Sequence, residues 1–126
     1  MNASRILSTI CLTFTVAAIA QEVNPYNGTW RAEFESAQGA KLEGTVVIKD
    51  QGGSWDMLVR KGSNPCVGRE APITVQKATA DELVFEINRS KVIPGCNDGL
   101  AKLKRTDDKS MEGVFDKGRK VKLIRQ

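Results

Sequence analysis

Thr79-Ala80-Asp81-Glu82-Leu83-Val84-Phe85-Glu86-Ile87-Asn88 decides how the chain is read. It opens like a helix: Thr79 and Glu82 have capping-box spacing. It continues like a strand. Leu83, Phe85 and Ile87 alternate with Glu82, Val84, Glu86 and Asn88, which puts apolar side chains on one face and polar ones mostly on the other. Val84, Phe85 and Ile87 are strand-favouring residue types. The segment is therefore expected to be a strand, and no other segment has helical periodicity longer than about two turns.

The same alternation extends in both directions. Upstream, Ile73 and Val75 share a face. Trp55, Met57 and Val59 form the set before them, and Leu42, Gly44, Val46 and Ile48 the set before that. Trp30, Ala32 and Phe34 come first. Downstream come Ala101 and Leu103, then Met111, Gly113 and Phe115, then Val121, Leu123 and Arg125. Turns are expected at Ala37-Gln38-Gly39, Gln51-Gly52-Gly53, Thr79-Ala80-Asp81, Asp107-Asp108-Lys109-Ser110 and Asp116-Lys117-Gly118. In the last, Gly118 supplies the positive φ of a hairpin. Short strands with tight turns between neighbours predict an all-β fold. We expect about eight strands in an antiparallel up-and-down meander that removes its edges by closing into a small barrel. A β-sandwich is the alternative.

Two segments are long and irregular, 61–70 and 90–99. As connections 3–4 and 5–6 of a meander they fall at the same end of the barrel. That brings Cys66 within reach of Cys96. A disulfide between them closes a loop of about 31 residues and stabilises by roughly 3–4 kcal/mol on the chain-entropy estimate. The same loops hold Lys61, Asn64, Arg69, Glu70, Asn97 and Asp98, polar side chains on loops braced by a disulfide, where binding residues concentrate. These six are the candidate binding residues.

Residues 1–20 read as a secretory signal peptide. Arg5 is followed by an uncharged apolar run from Ile6 to Ile19, and Ala18-Ile19-Ala20 is a small-x-small cleavage site. The run is about 14 residues, short of the roughly 20 that a spanning helix needs, and no later segment is apolar enough to span a membrane. Cys11 follows Ile10, where a lipoprotein signal has a small residue. The expectation is an exported chain, periplasmic or secreted, whose single domain is 21–126. Its remaining cysteines, Cys66 and Cys96, pair as expected in an oxidising compartment.

The net charge of +4 is uneven. Residues 99–126 contain nine basic and four acidic side chains, whereas 21–98 contain nine and eleven. The basic stripe is expected to be mainly a solvated wall, with at most a weak attraction to anionic surfaces. Aromatic residues do not interleave with it, so a nucleic-acid partner is not expected.

The chain has no histidine, which removes the commonest general base and metal ligand. It carries no nucleophile-elbow, P-loop or dinucleotide motif. Glu33 and Glu35 share a face, but the outer one. Asn97-Asp98 and Asp107-Asp108 have turn chemistry rather than the ligand count of a calcium site. We expect no enzyme activity, cofactor or metal. Asn27-Gly28-Thr29 matches a glycosylation sequon, silent in a bacterial chain.

Gly28-Thr29-Trp30 at the first strand and Arg125 in the last resemble the pattern of the calycins, the superfamily of lipocalins, fatty-acid-binding proteins and avidins. The resemblance implies a barrel in which Arg125 packs over the Trp30 ring, a contact worth roughly 0.5–2 kcal/mol. It covers the two ends and the meander between them. The chain departs from lipocalins in its shorter length and in having no visible C-terminal helix, so the resemblance implies a pocket only loosely.

Three functions follow as expectations. The first is a non-enzymatic protein that binds a small or lipidic molecule in a lipocalin-like cup. The second is an inhibitor or immunity-type module that binds another protein through the disulfide-tied loops. The third is an envelope-associated structural protein.

Overall fold

The structure is a computed structural model of the chain, and it describes residues 10–13, 23–35, 39–58, 65–66 and 68–126. Eight strands follow in order: β1 (Gly28–Glu35), β2 (Lys41–Lys49), β3 (Gly52–Met57), β4 (Ala71–Ala78), β5 (Glu82–Ile87), β6 (Gly99–Asp107), β7 (Ser110–Phe115) and β8 (Arg119–Arg125). Each pairs antiparallel with the next, and β1 also pairs with β8, with Trp30 opposite Arg125 and Phe34 opposite Val121. The sheet is a closed barrel. That closure decides against a sandwich. Residues 10–13 are exposed and without regular structure.

The decisive segment is β5. Its capping-box residues form their bond inside a hairpin: the Thr79 hydroxyl accepts the Glu82 N–H at 3.2 Å, and the Thr79 N–H donates to the Glu82 carbonyl at 2.9 Å. A threonine hydroxyl serves a tight turn as readily as a helix start.

Alternation along the strands turns one set of side chains inward. Trp30, Ala32, Phe34, Val46, Ile48, Trp55, Met57, Ala71, Ile73, Leu83, Phe85, Ile87, Ala101, Leu103, Met111, Phe115, Val121 and Leu123 form one core, and none is more than 6% exposed. Phe34 meets Phe115 edge-on, and Trp55 leans on both Phe115 and Phe85. These inward side chains pack against one another in one cluster, as the interior of a small barrel allows. Gly44 faces inward by the same alternation, and a Cβ there would strike the Asp56 carbonyl and the Met57 side chain. Among the described residues the Trp55 indole N–H is the one buried side-chain polar group without a hydrogen-bond partner.

The end away from the long connections is sealed by the chain's lead-in. Tyr26 is fully buried and donates its hydroxyl to the Thr79 carbonyl at 2.6 Å, and the Trp30 indole donates to the Tyr26 carbonyl at 2.8 Å. The Arg125 guanidinium lies 4.3 Å from the Trp30 ring centroid and donates to the carbonyls of Asn27 and Pro25. The Arg125–Trp30 contact is therefore present.

One local expectation needs correction. The turn between β2 and β3 is Asp50-Gln51, since Gly52 already pairs with Lys49. Asp50 itself takes a positive φ of 56°. Asn27 makes this possible, accepting the Asp50 N–H at 2.7 Å and donating to its carboxylate at 3.0 Å. β3 ends at Met57, and Leu58 still donates its N–H to the Glu43 carbonyl of β2; Val59, the last residue of the expected inward set, lies outside the described residues.

Candidate functional site

In an eight-stranded meander the β1–β2, β3–β4, β5–β6 and β7–β8 connections share one end. The tie across it is the disulfide: Cys66 and Cys96 are bonded, with Cα atoms 5.6 Å apart. Cys66 belongs to the β3–β4 connection and Cys96 to the β5–β6 connection. The bridge matters here because β3 and β4 share only two register pairs, Ser54 with Pro72 and Trp55 with Ala71. Pro72 has no N–H to give the ladder.

Of the six residues expected to bind, four are in view. Arg69, Glu70, Asn97 and Asp98 are all exposed or half-buried at the loop end. Lys61 and Asn64 lie outside the described residues. Asp98 serves the fold directly. Its carboxylate accepts the Ser90 N–H at 2.9 Å and anchors a 3-10 turn, Arg89–Lys91, that alternation did not predict. That hydrogen bond, with smaller help from the Ser90 hydroxyl and the Lys91 and Arg89 charges, holds its carboxyl below the ordinary range. Neither Arg69 nor Glu70 forms an ion pair among the described residues.

A second clasp escaped the sequence reading. Arg89 is buried, and its guanidinium meets the Asp116 carboxylate in two parallel contacts of 3.2 and 3.1 Å. This ties the β5–β6 connection to the β7–β8 turn. The pair lies against Gly99, where a Cβ would collide with the Asp116 carboxylate. The signals were present separately, as a charged residue just past β5, an Asp opening a hairpin turn and a Gly opening β6. Joining them needs the strand register, which no motif encodes.

Charge is distributed along the barrel axis. At the loop end, the connections and the strand residues that flank them bring together the described cations Lys41, Arg69, Arg89, Lys91, Lys117 and Arg119. The anions there are Glu35, Glu70, Asp98 and Asp116. At the far end the corresponding cations are Lys49, Lys77, Arg105, Lys109 and Arg125, against Asp50, Asp81, Glu82, Asp107 and Asp108. The loop end carries a positive excess and the far end is balanced. Two of the loop-end anions, moreover, are occupied by Arg89 and by the Ser90 N–H.

A depression lined by Glu35, Lys41, Leu42, Glu43, Glu112 and Lys120 among others opens to solvent, and its lining includes the core residues Phe34 and Val121. Among the described residues no cluster of His, Cys, Asp or Glu could hold a metal ion, and no helix is long and apolar enough to cross a membrane. No family model, curated protein or solved structure matches the chain.

Proposed function

We propose that the protein is an exported, non-enzymatic module that recognises another protein through the loop end of the barrel. The observation that carries this reading is the packing of the described inward side chains into one core cluster. It supports binding at the outer surface over binding in a cup. The loop end is the part of that surface with the best support. It is braced by the Cys66–Cys96 disulfide and the Arg89–Asp116 pair, and it presents Arg69, Glu70 and Asn97 toward solvent. Bracing lowers the ordering cost of binding. The disulfide is consistent with an oxidising compartment; with the apolar N-terminal run and its small-x-small site it supports export to the periplasm or beyond.

The test is site-directed photo-cross-linking in the exported fraction of the cells that make the protein. A cross-linking residue at position 69 should give a discrete protein adduct. The same residue at position 109, at the opposite end, should not. Equal adducts from both positions, or none from 69, would rule out recognition through the loop end.

A further inference from the structure

We infer that the partner presents an acidic protein face to the loop end. This rests on the protein-binding reading above and adds the partner's chemistry. The axial charge asymmetry is the basis. Lys91, Lys117 and Arg119 lie at the loop end and none is in an ion pair among the described residues. Of the loop-end acids, Asp116 is neutralised by Arg89, and Glu35, Glu70 and Asp98 are outnumbered by the remaining described cations Lys41, Arg69, Lys91, Lys117 and Arg119. Arg119 also stands in register with Phe115, at the barrel rim. An incoming acidic surface meets an excess of cations at this end and balanced charge at the other, so the field both attracts it and orients it. An acidic protein fits better than an anionic membrane. Leu58 is the one large apolar side chain strongly exposed at this end among the described residues, and Leu100 and Val114 lie on the wall strands β6 and β7. A docking face for lipid would carry apolar side chains to insert beside its cations.

The test uses the disulfide-bonded chain and a fluorescein-labelled poly-L-glutamate peptide, read by anisotropy at low and physiological salt. Two double variants carry the same change in net charge. Lys117→Glu with Arg119→Glu reverses the loop end, and Lys49→Glu with Lys109→Glu reverses the far end. The wild type should bind in a salt-sensitive way. The loop-end variant should weaken binding about tenfold or more, and the far-end variant should leave it nearly unchanged. Equal loss in both variants, or no binding by the wild type, would overturn the inference. So would tighter binding to phosphatidylglycerol vesicles than to the peptide, which would assign the cations to a lipid surface. The cross-linking experiment separates the two claims. A partner captured from position 69 through a basic segment overturns the acidic face and leaves protein recognition standing; absence of any adduct from 69 removes protein recognition itself.

Discussion

Two side chains, Asp116 and Tyr26, hold opposite ends of the barrel. Asp116 neutralises a buried guanidinium. Asp116→Asn keeps its shape and removes its charge, leaving Arg89 buried without a counter-ion. Full burial of an unpaired charge costs about 3–5 kcal/mol, and partial exposure of this pair lowers that to roughly 2–3 kcal/mol. Urea unfolding should show the loss, and a wild-type midpoint would mean the pair does not brace the loops. Tyr26 is the chain's one tyrosine, so its ultraviolet titration reports a single group. Burial raises its pKa, partly opposed by the Arg105 guanidinium over its ring and aided by Asp81 and Glu82. The folded state thus favours the neutral phenol. The stabilisation is complete below the unfolded value of about 10 and is lost as pH rises through the higher folded value. Tyrosinate absorbance should appear later in the folded than in the urea-unfolded chain, and coincident titrations would contradict the burial of Tyr26. Neither role was legible in the sequence. The Gly28-Thr29-Trp30 opening and Arg125 marked the sealed end, but nothing marked Tyr26 as its plug, and Arg89 and Asp116 look like ordinary surface charges until register brings them together.

At the level of elements, alternation alone named all the strands, because one face of each is core and the other water, and a period-two pattern records that division directly. Boundaries were less legible. Gly52 and Gly53 look like a turn, yet the turn belongs to Asp50, whose unusual φ is underwritten by Asn27 from a distant segment. On the outer wall Glu82, Lys104, Glu112, Lys122 and Glu33 face one another in register across β5, β6, β7, β8 and β1, with alternating sign. Lys122→Glu would set four acids side by side, because Glu43 stands opposite Glu33 on β2. It should cost about 1 kcal/mol, less at high salt; a loss independent of salt would show that the ladder is not electrostatic. Pairing is thinnest between β3 and β4, where Pro72 interrupts the ladder and the disulfide links the connection to its neighbour. The Cys66→Ser, Cys96→Ser double variant should lose roughly 3–4 kcal/mol, with amide exchange rising first in β3 and β4. Uniform exchange across the barrel would contradict a localised role.

For the whole molecule, the meander and the disulfide were legible because both follow from strand parity and loop order. Whether the barrel was hollow was not. Alternation gives the direction of a side chain, whereas filling depends on how Trp55, Phe85, Phe115 and Phe34 meet across the interior. The candidate site was legible in part. The loops and their exposed residues could be named, but the axial asymmetry of charge emerges only when β1 meets β8 and the connections sort to two ends. Recognition at the surface depends on a filled interior, and native mass spectrometry of the protein purified from its own exported fraction tests that most directly. A filled barrel predicts the mass of the disulfide-bonded chain alone, with no small molecule released on denaturation. A small or lipidic mass that leaves only when the chain unfolds would contradict it and restore the cup.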